Sequence, residues 1–457
     1  MGLPTSRCGA LKGDGGTKFC ALCANVHSFA AKDHEDQEGQ YTSTTRYDQL
    51  RLVTDQELLD SYQRLDARRA TCSKKDFQIW QQATGLTGSK FALLLHPTLR
   101  AREVIRPVSQ FCHEYMRGVL QGVAPVVVHH TLEAFQTEGF QVWEFLRQAF
   151  PHWKQPKATR AGNLEAIFSQ KQVQKHKNNQ RLSCQASECL AIFGPIRFVI
   201  HTIVKPQGMC PGACSAFLAM ATLIDQIHGG AQSGATTRSS LLQACEEAIQ
   251  SYQAAGFGKL IPKWHWLLHM TDILERLGHL PNCFAPERKH KGIGGLAIKL
   301  QNTKDFETNL LQQVLAKEIA GLFPETVVFL KSRPATPKEL AMLAQFVQGQ
   351  LQSAKLASCL RLAHGAQVHG GDVVAYGTSQ SWQVAQVLFH VELLQEKATM
   401  VQVWDHVKKL DQQHATCRVS ALQGLIPAST IICPLVFSLR GQGEAKVLLP
   451  CQLYSAA

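Results

Sequence analysis

No stretch of the 457 residues is an uninterrupted apolar run long enough to span a bilayer, and the opening MGLPTSRCGALKGDGG has no apolar signal-peptide core. A soluble, intracellular chain is therefore expected. Acidic residues are also short: 35 Asp and Glu against 47 Lys and Arg leave a net charge of +12. That imbalance favours an anionic partner, nucleic acid first, because clustered Lys and Arg gain by displacing the counterions of a polyanion. No G-x-S-x-G, Walker A or G-x-G-x-x-G motif stands in a suitable setting, so a hydrolase or nucleotide-binding enzyme is unsupported. No internal repeat is present. Cysteine is not scarce, but its 15 copies are odd in number and scattered over a long chain, unlike a secreted disulfide framework. Reduced thiols, a few on a metal, fit better. Met1-Gly2-Leu3-Pro4-Thr5-Ser6 matches the myristoylation pattern only formally, since so short a motif arises by chance.

With 45% hydrophobic residues the chain can bury a large core and fill two or three domains. Residues 1–48 are rich in Gly, Cys, His and charge and lack periodicity, which reads as a loop or a small metal-bound element. From Asp55 the pattern turns helical: Thr54 can cap TDQELLDSYQRLDARR, and Leu58, Leu59, Tyr62 and Leu65 share a face. Helical patterning recurs at 109–121, 126–149, 184–203, 213–228, 238–254, 264–277 and 305–321, giving an α-rich body over 49–331. The basic segment 154–181, with Lys171, Lys175, Lys177 and Arg181, reads as a solvated linker or helix face, or as a nucleic-acid contact through Lys175 and Lys177. SRPATP (332–337) marks a boundary, a helix is expected over 338–356, and 332–364 serves as linker. Residues 365–457 alternate between Gly and polar turns and predict a small β-rich domain. In it His369, Gly370, Gly371 and Asp372 look like a turn into a strand, and Trp382 and Trp404 like core residues. A protein partner could dock on this region. The fold class is thus mainly α with a small C-terminal β region.

Two short motifs carry metal chemistry. Cys20-Ala-Leu-Cys23 lies in the Gly-rich KGDGGTKFCALCANV, and two thiolates at this spacing can share one tetrahedral Zn²⁺. The strand-to-helix setting of a thioredoxin-like redox motif is missing. Alone it is a half-site, for which Cys8, His27 and His34 are local candidate partners. In KWHWLLHMTDILERLGHLPNCFAPERKHK, His265 and His269 are four apart, so on a helix both imidazoles lie on one face and can meet one ion. Taken singly, such a pair on an apolar helix is more often a packing or surface feature. Trp266 stands where the zincin H-E-x-x-H has its catalytic Glu, so metalloprotease chemistry is unsupported.

Taken in order, these pieces resemble the C-terminal part of a DDE-type DNA transposase of the CACTA and Kyakuja-Dileera-Zisupton kind. In those enzymes, as in the related V(D)J recombinase large subunit, an RNase H-like core is interrupted by a large helical insertion. A C-x-x-C before the insertion and a His pair after it share one zinc, and the catalytic Glu follows. Here the order is Cys20 and Cys23, a long helical stretch, His265 and His269, then Glu287 in FAPERKHK. His113-Glu114-Tyr115-Met116-Arg117 before Gly122-Val123 is similar to a family stretch H-D-W-M-H before G-V, with Asp replaced by Glu and the second His by Arg. The resemblance covers roughly residues 8–321 and rests on order more than on any single motif.

The resemblance implies an incomplete RNase H-like core with a large helical insertion, a structural zinc on Cys20, Cys23, His265 and His269, and a nuclear location. Glu287 would be the residual catalytic acid, and Arg288, Lys289 and Lys291 beside it would suit phosphate contacts. DDE chemistry needs three carboxylates around two Mg²⁺ ions. Both aspartates should precede the C-x-x-C, yet only 19 residues precede Cys20 and Asp14, in the Gly-rich loop, is their one carboxylate. Mg²⁺ would bind only if the two missing aspartates were supplied. The expectation is a transposase-derived, zinc-binding protein that no longer cuts or joins DNA but retains DNA binding. Its alternative is a protein-interaction module on an α-rich scaffold.

Overall fold

The computed structural model describes residues 18–28, 41–42, 46–88, 96–102, 105–157, 164–232, 236–281, 305–321, 327–347, 354–362, 366–378, 381–393, 396–409, 414–439 and 443–449. Strands β1 (His27–Ser28) and β2 (Tyr41–Thr42) pair antiparallel. Helix α1 (Asp55–Thr71) begins at a capping box, in which Thr54 Oγ1 accepts the Glu57 N–H at 3.2 Å and the Thr54 N–H donates to the Glu57 carboxylate at 2.7 Å. Leu58, Tyr62 and Leu65 are buried on the face the pattern predicts. Helix α2 (Lys74–Thr84), which the periodicity did not reveal, is capped by Ser73 and ends at Gly85, whose φ of 69° is left-handed. Short α3 (Pro97–Ala101) follows.

The helix expected over 109–121 starts late. Glu114 accepts the N–H groups of Met116 and Arg117 at 3.2 and 2.8 Å, and the chain is π-helical over Met116–Val123 before continuing as α4 (Ala124–Thr137). The single helix expected over 126–149 is two, because Gly139 at φ +93° turns the chain before α5 (Val142–Ala149). After β3 (Trp153–Lys154) come α6 (Leu164–Ile167), α7 (Gln170–Asn179), α8 (Ala186–Val199), α9 (Pro211–Gln232), α10 (Arg238–Ala254), α11 (Pro262–Leu277) and α12 (Phe306–Gly321). The segment 154–181 is therefore partly helical.

The sheet begins earlier than residue 365. Strand β4 (Val328–Pro334) is followed by a short helix α13 (Pro337–Leu343), and the last two residues of the helix expected over 338–356 open strand β5 (Lys355–Arg361) instead. Strand β5 pairs antiparallel with β4, Leu356 opposite Arg333 and Leu360 opposite Phe329. Then come β6 (Gln367–His369), β7 (Val373–Gly377), β8 (Trp382–Leu393), β9 (Glu396–Lys409), β10 (His414–Pro427), β11 (Ile431–Pro434), β12 (Val436–Leu439) and β13 (Glu444–Leu448). Among the described residues they form an antiparallel sheet in the order β11-β7-β8-β9-β10-β13-β12-β3, with β5 on β8 and both β4 and β6 on β5. Bulges between Val387 and Phe389 in β8 and between Val419 and Gln423 in β10 help curl this region into a half-barrel. Trp382 and Trp404 lie in its core with Val384, Phe437 and Val447. The turn expected at 369–372 is present, with the His369 N–H on Asp372 at 2.8 Å and Gly371 at φ +91°.

The chain divides into two compact units, residues 1–127 with 237–283, and 128–236 with 284–457. In the first, Val53, Leu58, Tyr62, Leu65 and Leu86 pack with Ala21 of the cysteine loop. In the second, one helical run among the described residues, Ala186–Gln207, is long and apolar enough by composition to cross a membrane. It is 56% buried and carries Arg197, paired at 2.9 Å with buried Asp225, as a core helix does.

Candidate metal centre

The cysteine loop is held by its neighbours on the chain. Ala24 donates to the Arg51 carbonyl at 2.7 Å and Val53 to that of Leu22 at 2.9 Å, a bridge that pairs Cys23 with Leu52. Asn25 clamps the same strip, its amide donating to Gln49 O and accepting from Arg51 N–H, both at 2.9 Å. On the other side the Lys18 N–H donates to Gln82 O at the end of α2. The histidines come from α11, which starts with Pro262 in its first turn and stops at Gly278, φ 69°. Its residues Trp264, Leu267, Leu268, Met270, Ile273 and Leu274 are buried, which fixes the rotation of the helix and points His265 and His269 inward.

Cys20, Cys23, His265 and His269 are all buried, and their ligand atoms lie within 4.8 Å of one another. Cys20 Sγ is 3.4 Å from His269 Nε2; Cys23 Sγ is 3.4 Å from His265 Nε2 and 3.3 Å from His269 Nε2; the two Nε2 atoms are 3.1 Å apart. A tetrahedral ion with bonds of about 2.3 Å to sulfur and about 2.05 Å to nitrogen sets sulfur–nitrogen edges of about 3.5 Å and a nitrogen–nitrogen edge of about 3.3 Å. These four distances match the edges of that tetrahedron to within a few tenths of an ångström. Two thiolates and two imidazoles suit a borderline-soft ion and not Mg²⁺ or Ca²⁺, which take oxygen ligands. With four protein ligands and no exposed member, it is built as a closed, structural site.

The electrostatics agree. Burial works against the Cys20 thiolate, but contacts with Cys23 and His269 outweigh it and hold this thiol well below its usual range. Cys23 is pushed up, first by its contact with Cys20 and then by burial, because two adjacent thiolates repel. Burial disfavours the His269 imidazolium, yet the Cys20 thiolate and Asp272 raise it to about 9. His265 is lowered, mainly by burial. The cluster thus holds an internal ion pair that a dication would replace.

Three residues beside the cluster were not recognised as part of it. His113 stacks on Trp266 at 5.0 Å between centroids and on His269 at 5.9 Å. Burial lowers it to about 4, so it lies over the centre as a neutral ring. Asp272 has Oδ2 3.8 Å from His269 Nδ1, and Tyr47 donates to its Oδ1 at 2.5 Å. The His-x-x-Asp spacing on α11 was the available signal, since a residue three further on faces the same side.

The remaining sequence candidates are not brought here. Lys175 is exposed on α7, and Lys177 lies 3.5 Å from Glu133. Asp14, Cys8, His34, Glu287, Arg288, Lys289 and Lys291 lie outside the described residues, as does the side chain of His27. No protein-family model, curated protein or solved structure matches the chain.

Proposed function

We propose that Cys20, Cys23, His265 and His269 hold one structural zinc ion, and that the protein is a transposase-derived scaffold that binds DNA without cutting it. The observation that carries the zinc reading is the buried Cys2His2 tetrahedron assembled from residues up to 249 apart in the chain. Its ligand order, C-x-x-C before a long helical stretch and H-x-x-x-H after it, supports the transposase origin. DNA binding is supported by the net charge of +12 and by exposed Lys171 and Lys175, one turn apart on α7.

The test starts with metal content. Wild type should carry one zinc per chain, and the Cys20→Ser, Cys23→Ser and the His265→Ala, His269→Ala double variants should each carry none. Zinc persisting in the histidine variant refutes a shared site. Duplex DNA should then bind with an affinity that falls steeply as salt is raised, and should stay uncut in Mg²⁺. Salt-independent binding or none removes the DNA reading and leaves the zinc-held protein as an interaction scaffold. Strand cleavage refutes the loss of catalysis.

A further inference from the structure

Around the four ligands runs a second set of contacts linking three separate segments. Asp272 follows His269 by one turn on α11, with Oδ2 3.8 Å from Nδ1. Its Oδ1 accepts from the Tyr47 hydroxyl at 2.5 Å and faces an Arg238 nitrogen at 3.4 Å. The Arg238 guanidinium lies 4.9 Å over the Tyr47 ring, and its Nε is 3.0 Å from Glu275. Backbone N–H of Tyr47 donates to Glu246 on α10 at 3.0 Å. A carboxylate that needed only a countercharge would be served by Arg238. Here a phenol donor and a guanidinium both grip one oxygen and leave the other turned to the imidazole.

Both histidines present Nε2 to the cluster, so a metal there leaves each ring proton on Nδ1. A carboxylate facing Nδ1 fixes that tautomer, orients the ring and strengthens it as a ligand. We infer that Asp272 is the outer carboxylate of the metal centre, positioning His269, and that Tyr47 and Arg238 position Asp272 in turn. The inference rests on the metal reading above.

It also explains how the two halves of the site are tied apart from the ion. Tyr47 starts the strip whose later residues, Gln49 to Val53, bond to the cysteine loop. One short segment therefore braces the thiolates from one end and the histidine's carboxylate from the other. Zinc binding and docking of residues 46–53 should be a single event.

The experiment compares wild type, Asp272→Asn, Tyr47→Phe and the double variant in zinc competition against a chromophoric chelator, with Co²⁺ absorption at saturation. All four should bind one metal per chain with the same tetrahedral Co²⁺ spectrum, so that the ligand set is intact. Asp272→Asn should lower zinc affinity about 10- to 100-fold, the usual effect of removing such a partner. Tyr47→Phe should lower it less, and should add nothing in the Asp272→Asn background because the phenol acts through the carboxylate. An Asp272→Asn affinity within about twofold of wild type overturns the inference while the metal reading stands. So does a full Tyr47→Phe effect in the double variant. Should Asp272→Asn not fold, Tyr47→Phe alone decides, an unchanged affinity refuting the role. Wild type that binds no zinc removes both readings.

Discussion

Removing zinc should unfold the first unit, and the size of the effect follows from where the ligands sit. Cys20 and His269 are 249 residues apart, and closing a loop of that length is worth about 5 kcal/mol from chain entropy alone. The metal–ligand bonds add to this, since structural zinc in small domains contributes about 10–16 kcal/mol at neutral pH. A domain is stable by only about 5–15 kcal/mol, so losing the closure term alone removes a third or more. Urea unfolding of wild type, with and without a strong chelator, reads this through Trp264 and Trp266, which lie on the ligand helix. With a slope of about 1–3 kcal/mol per molar urea, the midpoint should fall by about 2 M or more, or folding should be lost outright. The Cys20→Ser, Cys23→Ser variant should match the chelated wild type and be insensitive to added zinc. A midpoint that moves by less than about 0.5 M would refute the reasoning, for then the tetrahedron is a packing arrangement that no ion closes.

Zinc loading at pH 7 should release at least two protons, because Cys23 is pushed up and His269 is raised to about 9, so each carries a proton that the ion displaces. Affinity should therefore climb with pH, steeply below about 9 and more gently above it, where His269 has already lost its proton and Cys23 still holds one; calorimetry in buffers of different ionisation enthalpy checks the count, and a count of zero contradicts it. Gly85→Ala should weaken zinc binding and cost on the order of 1–3 kcal/mol, since φ there is 69° and a Cβ would lie 2.2 Å from the Lys18 carbonyl, two residues before Cys20. Gly139→Ala, at φ +93° with open space around it, should cost about 1–2 kcal/mol in stability and leave zinc affinity unchanged in the same competition assay. Arg197→Met should destabilise the second unit by about 3–5 kcal/mol in denaturant because it removes the cation paired with buried Asp225, and adding Asp225→Leu should recover much of the loss; an unchanged single variant contradicts the pair's role.

What the sequence made legible was whatever depends on near neighbours. The Thr54 cap, the buried stripe of α1, the bounds of α10 and the ligand spacings are set within a few residues, and each was readable. The misreadings fall where a distant segment decides. Residues 355 and 356, expected at the end of a helix, pair instead with a strand more than 20 residues upstream. Helix α2 has no buried residue, so it leaves no apolar stripe to read. The late start after residue 109 turns on Glu114 binding two backbone N–H groups, a contact invisible to periodicity. Asp272 was missed for a related reason: only the approach of Tyr47 and Arg238 from other segments separates it from any other helix acid.

The same distinction bears on what the metal does. Each ligand pair is local, C-x-x-C in a loop braced by residues 49–53 and i, i+4 on a helix whose rotation is fixed by its buried face, so few residues need ordering to bring the two ligands of a pair together. Ordering these side chains then asks little further entropy, and the free energy of binding goes mainly into joining residues 1–127 to 237–283 within the first unit. A closed tetrahedron offers no position for a substrate, so an ion bound there would act on function only through the fold it completes. If the protein binds DNA through this unit, chelation should abolish that binding together with the native tryptophan signal, at one chelator concentration. Loss of DNA binding while the signal persists would mean that the metal meets the nucleic acid directly, which a buried four-ligand site cannot do.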